Sequence, residues 1–158
     1  MAADAEFIEY ATAKSPWLRR VAYLLCGDWH QADDLVQAAI TKLFVHWKRA
    51  RQAGNLDGYA RAVLVNEFLA ERRRFWARWV VPWTGTDEAV AVQDLETALD
   101  LQTALDALPP RQRAAVVLRY YCDLSIEEAA RTMNCSPGNV KSQASRGLAT
   151  LRRNLERV

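Results

Sequence analysis

Ser125-Ile126-Glu127-Glu128-Ala129-Ala130-Arg131-Thr132-Met133-Asn134-Cys135-Ser136-Pro137-Gly138-Asn139-Val140-Lys141-Ser142-Gln143-Ala144-Ser145-Arg146-Gly147-Leu148 is the most specific local pattern in the chain. Ser125 and Glu128 have capping-box spacing: the hydroxyl accepts from the backbone N–H three residues on, and the glutamate reaches back. This predicts a short helix from Ile126 to Thr132, in which Ala129 and Ala130 leave room for a second helix to approach. Met133-Asn134-Cys135 is predicted as a three-residue turn. Ser136 is then an N-cap and Pro137 occupies the first helical position. Two helices across so short a turn form a helix-turn-helix, whose second helix commonly enters the DNA major groove.

On that second helix, Val140, Ala144, Leu148, Leu151 and Leu155 repeat on one face. The opposite and flanking face presents Gly138, Asn139, Lys141, Ser142, Ser145 and Arg146, with Arg152 and Arg153 beyond, and Ser136 at its start joins the candidate DNA-contacting set. Polar side chains near the N-terminal half can reach base edges, arginines can hold phosphates, and the helix dipole near Ser136 favours an anion. A solvated basic face on an ordinary helical hairpin is the structural alternative. Gly138 costs roughly 0.8–1 kcal/mol of helix propensity relative to Ala. Close approach of a partner to the backbone, or fraying of the first turn, would each account for it.

Upstream, the chain also reads as helical. Leu95, Ala98, Leu99, Leu101, Leu105 and Leu108 repeat until Pro109-Pro110, and a helix from about 110 to 122 follows with Pro110 in its first turn. Residues 82–95 combine Pro, Gly and clustered acids without periodicity, which predicts a linker with helical onset near Asp94. In the first half, helices are predicted over 4–26, 31–50 and about 58–79. Pro16 kinks the first helix or starts a second one capped by Ser15. Asp57 is a candidate cap for the third. The fold class is therefore all-α. Two small helical domains, residues 1–81 and 98–158, are expected on either side of a flexible acidic linker, 82–97.

The 158 residues carry a net charge of only +2, but its distribution is uneven. Residues 1–82 hold twelve basic and nine acidic side chains, 83–107 hold six acidic and no basic ones, and 108–158 hold nine basic and four acidic. Two basic blocks around an acidic connector suit two modules that face a polyanion, although helices also vary in charge for no functional reason. Cys26, Cys122 and Cys135 are odd in number and without a CxxC, which points to free thiols and away from a disulfide framework or a cysteine-rich metal site. No stretch approaches about 18–20 uninterrupted apolar residues, so no membrane insertion is expected. Asp4, Glu6 and Glu9 do not suit a signal peptide. The expected location is the cytoplasm. His30 and His46 have no obvious catalytic or metal partners, and no phosphate-binding, dinucleotide, metalloprotease or nucleophile-elbow motif occurs. The chain does not read as an enzyme, and no cofactor or metal is expected.

Glu71-Arg72-Arg73-Arg74-Phe75-Trp76-Ala77-Arg78-Trp79 interleaves arginines with aromatics. Arginines neutralise phosphates and exposed aromatic faces stack unpaired bases, a mixture that suits melted DNA better than duplex alone. Core packing is the competing role for each aromatic. Asn66 sits amid apolar residues and is either bonded within the bundle or exposed at its end. Asp33-Asp34 suits the start of its helix by dipole compensation alone.

Taken together these segments resemble the extracytoplasmic-function (ECF) sigma factors of bacterial RNA polymerase. Asp33-Asp34-Leu35-Val36-Gln37-Ala38-Ala39-Ile40-Thr41-Lys42-Leu43-Phe44 is similar to their region 2.2 helix. Tyr59 to Asn66 with Arg72-Arg73-Arg74 resembles regions 2.3–2.4. Leu108-Pro109-Pro110-Arg111-Gln112-Arg113, Leu118-Arg119-Tyr120-Tyr121 and the helix-turn-helix resemble region 4. Lys141 to Leu148 is similar to the sigma-E-like actinobacterial subgroup. Ala38, Ala70 and Asn139 depart from residues common in the family.

The resemblance implies a specificity subunit that binds core polymerase and directs initiation at chosen promoters. It implies docking on the β′ clamp helices through Asp33, Asp34, Leu35, Gln37 and Ile40, and contact with the β flap. It assigns −10 recognition and melting to Asn66, Arg72, Arg73, Arg74 and Trp76, and −35 reading to the helix-turn-helix set. An anti-sigma factor as partner, and a monomer when free, are implied as well. A helix-turn-helix regulator that binds duplex DNA without polymerase is the alternative.

Overall fold

The computed structural model describes residues 2–79 and 97–156, with side chains described for 2–75 and 100–156. Every regular element among the described residues is helical: α1 Ala2–Cys26, α2 Trp29–Val45, α3 Trp47–Gln52, α4 Leu56–Trp79, α5 Thr97–Asp106, α6 Pro110–Val116, a π-helical turn Val117–Tyr121, α7 Ile126–Met133 and α8 Pro137–Glu156. They form two compact units, Met1–Phe68 and Leu69–Val158, so the division falls within α4. The predicted linker and the helical onset near Asp94 lie outside the described residues.

In the first unit the apolar residues of each helix recur every three or four positions and meet in one core. Leu18, Val21, Ala22 and Leu25 of α1 face Ala32, Leu35, Val36 and Ala39 of α2, and Leu64 and Phe68 of α4 complete the bundle. The helix α1 runs through Pro16. The missing N–H falls opposite the Thr12 carbonyl, and because Thr12 and Pro16 are both exposed, water can take its place. Ser15 does not start a new helix; its hydroxyl donates to the Ala11 carbonyl at 2.7 Å. Gly27 ends α1 at φ 79°, a left-handed conformation that suits glycine, and Asp28 caps α2 by accepting from the Gln31 N–H at 3.1 Å.

Two first-half expectations are corrected. The run 31–50 is two helices, because His46 leaves helical geometry (φ −106°, ψ 24°). Leu43, Trp47 and Ala50 keep one buried face across the break, so periodicity alone reads straight through it. Asp57 is not a cap: Asn55 takes that place, its Oδ1 accepting from the Gly58 N–H at 3.0 Å. Asp57 lies in the first turn of α4 and accepts from the Tyr10 hydroxyl at 2.7 Å and Lys14 Nζ at 3.1 Å, tying α4 to α1. A second tie, the ion pair between Lys42 and the buried Glu67, joins α4 to α2.

In the second unit α8 is the spine against which α5, α6 and α7 pack. Pro110 opens α6 as predicted, but the helix predicted to 122 passes into a π-helical turn at Val117. The Cys122 N–H there bonds to the Val117 carbonyl at 3.0 Å, five residues back. Leu118 stays buried while the next turn leaves Tyr120 and Tyr121 exposed. The capping box of α7 is complete, with the Glu128 N–H to Ser125 Oγ at 3.0 Å and the Ser125 N–H to Glu128 Oε1 at 2.8 Å. Met133 belongs to α7, and the turn is Asn134-Cys135-Ser136. Asn134 adopts φ 56°, which asparagine tolerates better than most residues.

Candidate nucleic-acid and polymerase interface

The face of α8 divides as its sequence predicts, with two exceptions. Val140, Ala144 and Leu151 are buried, whereas Ser136, Asn139, Lys141, Ser145 and Arg146 are exposed and Ser142 is half-buried. Leu148 is only half-buried and Leu155 is exposed; Gly147, not Leu148, lies deepest at that level. Ser136 caps α8 by accepting from the Asn139 N–H at 3.1 Å. This cap holds the first turn so that Asn139, Lys141 and Ser142 leave the helix beside its positive end. A Cβ on Gly138 would meet nothing within 4 Å, so no packing inside the protein requires a glycine there.

Arginines on neighbouring elements are partly occupied by the fold itself. Arg113 is buried and pairs with Asp106 at 2.9 Å, joining α6 to the end of α5. Arg119 donates from Nη1 to the Leu124 carbonyl at 2.6 Å, which closes the π-helical turn onto the start of α7. Both fall in the stretches that resemble region 4, but their structural roles are not legible there, because a buried arginine and a solvated one look alike in sequence.

On α4, Asn66 is exposed and donates from Nδ2 to the Ala62 carbonyl at 2.7 Å. Arg73 follows two helical turns later on the same face, about 10 Å along the axis. Arg73 and Arg74 are exposed, Arg72 is half-buried, and Phe75 is 53% exposed. Guanidinium groups and an open aromatic face are side-chain types on which a single strand can be held. The Trp76 side chain lies outside the described residues.

The predicted docking set on α2 separates. Asp33 and Gln37 are exposed, Ile40 is half-buried, and all three line an open groove of about 650 Å³ between α1 and α2. Asp34 is exposed outside it. Leu35 is 0% exposed and belongs to the core, on a helix that packs against α1. It therefore has no surface to offer a partner, and the docking assignment is corrected to exclude it.

The α1 wall of the groove was not read from sequence. There Arg19 bonds Asp33 at 2.5 Å and stacks over Trp29, its guanidinium 4.2 Å from the ring centroid. Trp29 in turn stacks on Tyr23 at 3.9 Å. The Arg19 hydrogen bond holds the Asp33 carboxyl below the usual aspartate range. An arginine, a tryptophan and a tyrosine fourteen or fewer residues from Asp33 gave no periodic signal, since their association depends on how α1 crosses α2.

Among the described residues no helix is long and apolar enough to cross a membrane, and no three metal-ligating side chains cluster. Cys26, Cys122 and Cys135 are half-buried and not joined in a disulfide.

Comparisons with known proteins place these features. Residues 11–79 match the family described as Sigma-70 region 2, and residues 98–151 match Sigma-70, region 4. The chain is 35% identical to the RNA polymerase sigma-E factor of Streptomyces coelicolor, over 95% of this chain and 86% of that protein. It is 36% identical to the ECF RNA polymerase sigma factor SigE of Mycolicibacterium smegmatis, over 84% of this chain and 55% of that one. Among solved structures, the sigma factor RpoE of Bartonella quintana, crystallised with the anti-sigma factor NepR, is similar with a TM-score of 0.75. It is 27% identical, over 96% of this chain and 97% of that one. The chain therefore belongs to the ECF sigma factors, non-enzymatic specificity subunits that direct RNA polymerase to chosen promoters.

Proposed function

We propose that the two ends of the promoter are divided between the two halves of this chain. Residues 1–81 dock on core polymerase and open the −10 element, residues 98–158 read the −35 element, and residues 82–97 connect them. The observation that carries this is the two-sided α8: Val140, Ala144 and Leu151 anchor it while Asn139, Lys141, Ser145 and Arg146 stand clear. Asn139 and Ser142 suit base edges, Lys141 and Arg146 suit phosphates or guanine, and the capped helix start suits a phosphate. Asn66 takes an unpaired −10 base, Arg72, Arg73 and Arg74 follow the backbone, and Phe75 and Trp76 offer stacking surfaces.

Asp33, Asp34, Gln37 and Ile40 form the contact with the β′ clamp helices, and the second half also touches the β flap. The free protein is a monomer that works in the cytoplasm alongside its polymerase. An anti-sigma factor holds it inactive, a reading supported by the complex in which the similar Bartonella protein was crystallised. Co-elution with core polymerase on size exclusion, followed by transcription from mapped promoters, tests the proposal. Promoter-dependent transcripts that require this chain are the expected result. Binding to duplex DNA as a dimer, with no co-elution, would overturn it in favour of a polymerase-independent regulator.

A further inference from the structure

Gly147 lies in the middle of α8, directly after the reading residues Ser145 and Arg146, and is buried where α8 crosses α6. A Cβ built on it would stand 2.7 Å from Val116 Cγ2 and 3.1 Å from the Gln112 carbonyl oxygen. Val116 cannot step aside easily: it is 5% exposed, and a β-branched side chain in a helix has one strongly preferred rotamer. The Gln112 oxygen belongs to the α6 backbone and moves only with that helix. Gly138, the other glycine on α8, faces open space. The two glycines of one helix therefore differ in kind, and only Gly147 is required by the packing.

We infer that Gly147 is a positioning residue for −35 recognition: its missing side chain seats α8 on α6 at the depth and angle from which Asn139, Lys141, Ser142, Ser145 and Arg146 meet the bases. The inference rests on the reading of α8 proposed above. A methyl group at 147 must lift α8 by some tenths of an ångström at Val116, and α6 contacts α8 on the side away from the exposed readers. Asn139 lies eight residues before this fulcrum, about 12 Å along the axis, so a small tilt is carried to the end that enters the groove. Bidentate base contacts are sensitive to such shifts, whereas phosphate contacts from flexible side chains are not.

The test uses full-length protein in holoenzyme with core polymerase, transcribing a promoter library randomised in its −35 element. The wild type should select a defined −35 sequence. Gly147→Ala should reduce that preference about tenfold, the worth of one good base contact. Binding to non-specific duplex at low salt, and its salt slope, should stay unchanged. Val116→Ala in the Gly147→Ala protein removes the nearer obstruction and should restore the preference to that of Val116→Ala alone.

An unchanged preference in Gly147→Ala, an equal loss of specific and non-specific binding, or no rescue by Val116→Ala would overturn the inference. A wild-type protein without any −35 preference would instead overturn the assignment of α8 as reader, and the inference with it. Should Gly147→Ala lose its far-UV helical signal, the same variant measured at a lower temperature at which that signal is regained supplies the comparison with the same deciding outcomes.

Discussion

Leu35 distinguishes core from docking surface on a single helix. It is 0% exposed, among the fully buried side chains of the first unit, while its neighbours Asp34 and Gln37 are exposed. Leu35→Ala removes three buried carbons and leaves a cavity, a change that costs about 2–5 kcal/mol. At about 4–8 °C per kcal/mol for a domain of this size, a cost near the middle of that range lowers the unfolding midpoint of the first unit by roughly 14–28 °C. The sequence supplies a probe for the first unit, since Trp17, Trp29 and Trp47 lie within it and the other three, Trp76, Trp79 and Trp83, are close together and can be replaced by Phe. Tryptophan fluorescence during thermal or urea unfolding of the full chain with those three replaced therefore follows the first unit alone. Gln37→Ala, at an exposed position, should change stability by under about 0.5 kcal/mol yet weaken co-elution with core polymerase. A Leu35→Ala protein with an unchanged fluorescence midpoint but reduced polymerase affinity would refute the placement of Leu35 in the core.

Lys141→Ala and Arg146→Ala should each reduce −35-dependent transcription while core binding persists, and a residue that holds a phosphate should also lower the salt slope of DNA binding by about one. Loss of co-elution with polymerase would contradict that division. Ser125→Ala removes the α7 cap and should cost about 1 kcal/mol in urea unfolding followed by circular dichroism, with tryptophan fluorescence unmoved. Acid should weaken the first half. Burial pushes the Asp57 carboxyl up, but the Tyr10 and Lys14 hydrogen bonds and the Lys14 and Arg61 charges outweigh it, so its net shift is down. A folded pKa below the unfolded one means stability that is full above the ordinary aspartate value and is lost as pH falls through the lowered one. Asp57→Asn should flatten this acid dependence in the fluorescence midpoint; an unaltered pH profile would show that Asp57 does not contribute to it.

Helix-turn-helix chemistry was legible because it is local: a capping box, a Ser-Pro start and a run of small residues each act within a few positions of themselves. The same holds for Pro110 and for the exposed polar face of α8. What escaped the sequence depends on how helices cross. Leu35 and Asp34 are adjacent, and only the placement of α1 and α4 decides which is buried. Asp57 fits an N-cap by type, yet Asn55 occupies that place and Tyr10 and Lys14, more than forty residues away, claim its carboxylate. Gly147 carries no periodic signal at all, and its meaning comes from Val116 and Gln112 on another helix. The π-helical turn was hidden in a run of apolar and aromatic residues that a regular helix would serve equally well.

The most direct examination of the two-ended account is photocrosslinking from the chain itself. A benzophenone amino acid is placed at position 73 or at position 139 of the full-length protein, and the holoenzyme is irradiated on one promoter. Adducts are expected at the −10 element from position 73 and at the −35 element from position 139, with none from either position when core polymerase is omitted. Adducts from both positions to the same stretch of DNA, or adducts that form equally well without polymerase, would contradict it.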